Sequence, residues 1–217
     1  MLFEPQRNLV QHLARKVREI ADSSENQAIK QRWCDVNALR KPDRAPVYCR
    51  PIGCWSELLP DDALTCEDPR MRSLERQFKA VLIKHEIGDD DPVEPWHGVL
   101  AVFDIDPPSK WGLDAGHVSP DAPGGAWGYD PPLKTIDDFE KLRTPDYIYN
   151  NVRTQERLSK ANDLFGDILP PKLLCEGPDE LTLCHIAANL RGLTQLMMDL
   201  AVDPELVRRL MAHLSEG

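Results

Sequence analysis

Positive charge is scarce in this sequence. Lys and Arg together number 26 against 36 Asp and Glu, so the formal net charge is -10. A surface that binds nucleic acid needs a basic face, so this balance argues against a nucleic-acid partner. The chain also has no apolar run long enough to span a membrane, and charge interrupts its first residues, MLFEPQRNLV. We therefore expect a cytoplasmic protein without a membrane anchor.

Paired cysteines are missing as well. The chain has six cysteines, but none forms a Cys-x-x-Cys pair and no Cys/His set has zinc-finger spacing. We expect free thiols that pack as small hydrophobic residues, and we assign no metal site. The sequence also has no internal repeat and no low-complexity tract.

Glycine is less frequent than proline, with 12 glycines against 19 prolines that cluster between residues 42 and 132. This predicts long, stiff loops in the first half of the chain. A composition of 41% hydrophobic and 29% charged residues is typical of a packed core rather than of disorder. A length of 217 residues suits one large domain or two small ones.

Helical spacing of apolar residues is the clearest pattern that the sequence does contain. Asp68-Pro69 is a helix start and Gly88 a helix end. Thr135 and Asp138 resemble a capping box that opens a short helix to Leu142. The longer predicted helices cover residues 9–20, 26–39, 69–86, 152–165, 181–200 and 204–214.

Apolar runs between these helices predict three strands, at residues 45–50, 98–103 and 168–175. Alternating strands and helices predict an α/β fold with parallel strands and right-handed crossovers. We expect a helical segment over 1–44, a partial α/β barrel over 45–217, and a lid or hairpin over 107–134. Three strands cannot close a barrel, so this is a small open layer or the first part of something larger.

The predicted strand ends carry the candidate functional residues. Arg50 and Trp55 follow the first strand, and Asp104 and Asp106 follow the second. Ligands of α/β folds bind beyond the carboxyl ends of strands, so these residues could line a site. Alternatively, they are surface and turn residues. For Asp89 to Asp91 a cation site and a turn of solvated carboxylates are the alternatives.

The order of several motifs resembles the uroporphyrinogen decarboxylase superfamily, over about residues 40–214. The matching stretches are APVYCRPIGCW, HEIGDD, FDI, GYDPPLKTIDDFEKLRTPD and GLTQLMMDLAVDPELVRRLM. The resemblance implies a TIM-type (β/α)8 barrel with extra N-terminal helices, of which this chain supplies the first three strands. The superfamily contains true decarboxylases and related methyltransferases that serve corrinoid proteins.

The resemblance also implies roles for individual residues. Arg50 corresponds to an arginine that grips a substrate carboxylate, whereas Cys54 stands where the decarboxylases have a second arginine. Asp104, or failing that Asp106, corresponds to the essential aspartate. The other expected substrate-binding residues are Trp55, Trp96, Trp127 and Glu176.

The expected function is methyl transfer or demethylation of a small molecule, linked to a corrinoid carrier. In that branch zinc is held by residues of late barrel strands, which would lie beyond residue 217. The alternatives are uroporphyrinogen decarboxylase in porphyrin biosynthesis, which needs no cofactor, and a non-catalytic partial barrel that acts as an interaction module. Unpaired sheet edges favour a homo-oligomer.

Overall fold

The chain divides into two units, one formed by residues 1–99 and 155–174, the other by 100–154 and 175–217. The structure is a computed structural model that describes residues 3–109, 111–119, 128–175 and 182–216. The helices are α1 (Phe3–Ala21), α2 (Ser24–Asn37), α3 (Trp55–Leu58), α4 (Pro69–Ile87), α5 (Asn151–Phe165), α6 (Leu183–Arg191), α7 (Leu193–Val202) and α8 (Pro204–Leu214). The strands are β1 (His97–Leu100), β2 (Phe103–Asp106), β3 (Gly116–Val118), β4 (Gly128–Asp130), β5 (Asp146–Tyr149) and β6 (Pro171–Leu174).

The core of the first unit is formed by α1, α4 and α5. Burial of the apolar faces of these helices is the main force that holds the unit together. The Phe78 and Phe165 rings meet edge to face, with their centroids 5.6 Å apart. The buried helix residues are Val10, Leu13, Ala14, Val17, Met71, Leu74, Phe78, Ala161, Leu164 and Phe165.

The core of the second unit is built by α6, α7 and α8, with two residues of the preceding loops. Those two are Trp111 and Leu133, which are 7% and 1% exposed. The predicted helix over 181–200 breaks at Gly192, whose φ of 83° no helix can continue. The buried helix residues are Ile186, Ala187, Leu190, Leu196, Val207, Leu210 and Leu214.

Capping residues set the helix ends where the sequence predicts them. The Asp68 carboxylate accepts hydrogen bonds from the N–H groups of Arg70 and Met71, and Gly88 ends α4 in the left-handed conformation. Thr135 and Asp138 form the predicted capping box, which opens a 3-10 helix over Ile136–Lys141. These contacts confirm predictions that rest on local side-chain chemistry.

The predicted strand over 45–50 is wrong. This segment is extended but pairs with no strand, and Val47 and Tyr48 are 60% and 48% exposed. The carboxylates of Asp90 and Asp89 accept the Val47 and Cys49 N–H groups, each over 2.7 Å. Because side chains satisfy these donors, the segment does not need a neighbouring strand.

The other predicted strands are shorter and pair differently from the prediction. The run over 98–103 separates into β1 and β2, because Val102 N–H donates to the Thr154 hydroxyl over 3.0 Å instead of to a strand. The run over 168–175 shortens to β6, which pairs with β1. β2 pairs antiparallel with β5, a strand that the sequence did not predict, so a purely parallel sheet is wrong.

The described residues confirm a mixed α/β class, and they form two-stranded sheets but no closed barrel. Within the predicted lid, β3 and β4 form an antiparallel hairpin. Residues 110 and 120–127 of that lid lie outside the described residues. The division predicted at residue 44 stays a prediction. None of the described helices is both long enough and apolar enough to cross a membrane.

Candidate functional site

Arg50 lies at the end of the extended segment over 45–50, in the first unit. Its side chain is exposed, and its guanidinium carbon lies 5.8 Å from the centroid of the Tyr48 ring. Arg50 forms no ion pair with any residue that the structure describes. Its charge is therefore open to an anion from solution.

Asp90 anchors this segment. Its carboxylate is 1% exposed and accepts hydrogen bonds from the guanidinium groups of Arg32 and Arg44 as well as from Val47 N–H. Burial raises the pKa of Asp90, but hydrogen bonds from Arg44 and Val47 and the charge of Arg32 outweigh burial and lower it. The carboxylate is thus held ionised as a structural anchor.

Asp89 anchors the same segment through a lysine. Lys84 donates to the Asp89 carboxylate and to the Cys49 carbonyl, and its Nζ lies 4.7 Å from the Tyr48 ring centroid. Burial lowers the pKa of Lys84, but the hydrogen bond to Asp89 and the charges of Asp89 and Asp91 raise it on balance. The sequence left two alternatives for the triple aspartate, a cation site and a turn of solvated carboxylates. Neither describes Asp89 and Asp90, because each of these carboxylates binds a lysine or arginine side chain and a backbone N–H group.

Cys54 and Trp55 follow Arg50 in a tight turn. The N–H of Ile52 donates to the Arg50 carbonyl over 2.8 Å, and Cys54 N–H donates to the Pro51 carbonyl over 3.3 Å. Cys54 is exposed and Trp55, which begins α3, is half-buried. The turn brings three predicted site residues together because they are neighbours in sequence.

Asp104 and Asp106 lie in β2, in the second unit. They are on the same face of the strand, because residues two positions apart in a strand share a face. Asp104 accepts hydrogen bonds from Asn150 Nδ2 at 2.7 Å and from the Arg153 guanidinium at 2.9 Å. Asp106 lies 3.6 Å from the Arg143 guanidinium. Asp104 is thus a half-exposed carboxylate with two fixed donors, which suits orientation of a polar group better than proton abstraction.

The remaining predicted site residues are separate from these groups. Trp96 is half-buried beside a cleft of the first unit, with Lys172 Nζ 4.7 Å from its ring centroid. Trp127 and Glu176 lie outside the described residues. The predicted residues therefore fall into a turn, a strand and a cleft wall rather than into one described site.

Sequence reasoning missed the residues that hold these groups. Lys84 and Asp90 position the Arg50 segment, and Asn150 and Arg153 position Asp104. The triple aspartate was a visible signal, but its partners lie about 40 residues away along the chain. Nothing in the spacing of Asn150 and Arg153 pointed to Asp104.

Comparisons of this chain with protein-family models, with curated proteins and with solved structures found no match. Within the part of the chain that the structure describes, no three His, Cys, Asp or Glu side chains cluster in a way that could hold a metal ion. The described residues therefore contain no zinc site of the kind that the methyltransferase branch uses.

Proposed function

We propose that this protein binds a small organic anion through Arg50, as a member of the uroporphyrinogen decarboxylase superfamily that works in methyl transfer or demethylation. The proposal includes the superfamily's α/β barrel, to which these residues contribute the N-terminal part, and a corrinoid protein as partner. It is supported by the order of the motifs along residues 40–214 and by the exposed guanidinium of Arg50, which has no carboxylate partner among the described residues.

The observation that carries the proposal is the unpaired guanidinium of Arg50. Arg32 and Arg44 also contact this region, but both are paired with Asp90. Arg50 alone of these three arginines has no carboxylate partner among the described residues. A planar guanidinium on a backbone held by Asp89 and Asp90 can bind a carboxylate or phosphate through two parallel hydrogen bonds.

Cys54 favours methyl transfer over porphyrinogen decarboxylation. A thiol cannot replace a second arginine as a bidentate carboxylate ligand, and Cys54 is exposed beside Arg50 in the turn. Asp104 is the proposed catalytic carboxylate, and within the second unit Asn150 and Arg153 fix its orientation. A bound corrinoid would supply the methyl group in methyl transfer and would accept it in demethylation.

Binding of succinate, a small dicarboxylate, to the full chain tests the role of Arg50, because each carboxylate can accept two parallel hydrogen bonds from a guanidinium. Arg50→Ala is expected to weaken binding about tenfold, the loss expected when one charged hydrogen-bonding partner is removed. Arg15→Ala is the matched control, since Arg15 is also exposed in the first unit. Equal affinities of the two variants would remove Arg50 from the site.

Two activity assays then separate the reactions. Transfer of a methyl group between methylcobalamin and a thiol acceptor supports the methyltransferase assignment. Formation of coproporphyrinogen from uroporphyrinogen in metal-free buffer supports the decarboxylase alternative.

A second candidate function is self-association as an interaction module. The observation that favours it is a set of exposed apolar side chains on α7, which a second copy of this chain could cover. Sedimentation velocity of the chain and of Met197→Glu tests this, because a charge in the interface should restore the monomer. The exposed residues are Leu193, Met197, Met198, Leu200 and Val202.

A further inference from the structure

A cleft of about 290 Å³ opens in the first unit between α4 and the segment over 91–98. This volume is at the lower end of the range for sites that bind small molecules. The walls are mainly apolar and include two aromatic rings. The apolar and aromatic lining is provided by Val17, Phe78, Val81, Val93, Trp96 and Leu169.

The wall formed by residues 91–98 is fixed at several points. The buried Asn26 amide donates to the Val93 carbonyl over 2.8 Å and accepts from Val93 N–H over 2.9 Å. Lys30 pairs with Glu94 at 3.1 Å, and the N–H of His97 donates to the Pro170 carbonyl over 3.2 Å. A wall held in place before binding loses little conformational entropy when a ligand binds.

His97 contributes a polar group to the cleft. Its ring meets the Phe78 and Phe165 rings edge to face, at centroid distances of 5.7 and 5.2 Å. Burial, with the charge of Arg70, lowers the pKa of His97, so the ring is neutral near pH 7. The imidazole has no hydrogen bond to any described residue, so it can donate to or accept from a ligand.

The charge that remains available at the rim is negative. Lys84 lines the cleft, but it is already bonded to Asp89 and the Cys49 carbonyl. Asp91 lies 3.8 Å from Lys84, too far for a hydrogen bond, and Glu94 is 43% exposed. Because Glu94 is already paired with Lys30, the carboxylate that can still bind a cation beside the aromatic walls is that of Asp91.

From the apolar walls, the fixed backbone and the carboxylate rim we propose that this cleft binds a small organic cation, an amine with an aromatic or cyclic body. The body packs against Phe78 and Trp96, and the ammonium group lies at Asp91. Arg50 is not part of the lining, so this site is distinct from the anion site proposed above, although Lys84 contacts both.

Isothermal titration calorimetry of the full chain with 2-phenylethylamine tests the proposal. The matched ligands are 2-phenylethanol, which lacks the charge, and 3-phenylpropanoate, which reverses it. We expect the amine to bind most tightly. Asp91→Asn should weaken it about tenfold, since one charged hydrogen bond is lost. Glu57→Gln, an exposed carboxylate of the same unit outside the cleft, should leave the affinity unchanged.

Ala80→Phe tests the cavity itself, because the added ring fills a position in its lining. We expect loss of amine binding with an unchanged circular dichroism spectrum. If Ala80→Phe does not fold, the amine affinities of Asp91→Asn and Glu57→Gln test the proposal by themselves. Binding of 3-phenylpropanoate as tight as that of the amine, or equal affinities of Asp91→Asn and Glu57→Gln, would overturn the proposal.

Discussion

The carboxylate of Glu75 accepts a hydrogen bond from the backbone N–H of Cys66 over 2.8 Å, inside the first unit. Glu75 is completely buried, and it also accepts from Thr65 N–H at 3.0 Å and from Lys79 at 2.7 Å. One acidic side chain of α4 thus fastens the loop that precedes the helix. A buried charge is stable in such a place only because its donors replace water.

Glu75→Gln is expected to destabilise the protein by about 2 kcal/mol, because the amide cannot accept all of these hydrogen bonds and removes the negative charge that pairs with Lys79. Urea unfolding followed by circular dichroism measures the difference. Glu86→Gln is the matched control, since Glu86 is exposed on the same helix. A destabilisation of the same size in both variants would contradict this role of Glu75.

Glu75 should also make the free energy of unfolding depend on pH in the acid range. Burial raises the pKa of Glu75, but the hydrogen bonds from Lys79, Cys66 and Thr65 outweigh burial and lower the pKa from 4.5 to about 2. A carboxyl with a lower pKa in the folded state stabilises the protein above its unfolded pKa. That stability should be lost as the pH falls from 4.5 to about 2. Urea midpoints measured across this range should fall less steeply in Glu75→Gln than in the wild type.

Asp90→Asn is expected to cost about 1–3 kcal/mol, because the buried Arg32 guanidinium loses one of its two carboxylate partners and keeps only Asp43. Hydrogen exchange gives a local measurement, since Val47 N–H donates to Asp90. Exchange at Val47 should become faster in the variant. Asp62→Asn, at an exposed position, should change neither quantity, and unchanged exchange at Val47 in Asp90→Asn would rule out the anchoring role.

Gly192→Ala should destabilise more than Gly88→Ala. At Gly192 the φ of 83° strains any side chain, and an added Cβ would lie 3.1 Å from Pro131 Cγ. At Gly88 the φ is 75°, but a Cβ would meet nothing within 4 Å. We expect about 1 kcal/mol at Gly88 and roughly 2–3 kcal/mol at Gly192. Thermal unfolding of both variants checks the order, and the reverse order would contradict it.

Thiol reactivity should separate the cysteines. Burial first, and then the Glu75 carboxylate, raise the pKa of Cys66 to about 11, so its thiolate is scarce at neutral pH. Titration of the native protein with a disulfide reagent should label the exposed thiols of Cys34, Cys54, Cys175 and Cys184 first. Cys54→Ser should lower the rapid count by one, whereas Cys66→Ser should not change it. A lower rapid count in Cys66→Ser would show that Cys66 is accessible.

The sequence by itself determined the parts of this protein that depend on near neighbours. Asp68 and Gly88 bound α4 because a cap bonds to residues two to three positions away. The apolar stripes of α1 and α8 are equally local. The same holds for the turn that contains Arg50, Cys54 and Trp55, since adjacency along the chain brings these side chains together.

Only the tertiary structure decided which distant groups meet. The run at 45–50 has strand composition, but its N–H groups bind Asp89 and Asp90, about 40 residues away. β2 pairs with β5 rather than with a parallel neighbour. Asp104 of β2 forms an ion pair with Arg153, which lies far from it along the chain. The free energy of such contacts depends on burial and on competing partners, which no short window of sequence contains. The charge left free on Arg50, and the Asp91 carboxylate left without a hydrogen-bonded cation at the cleft, follow from that competition.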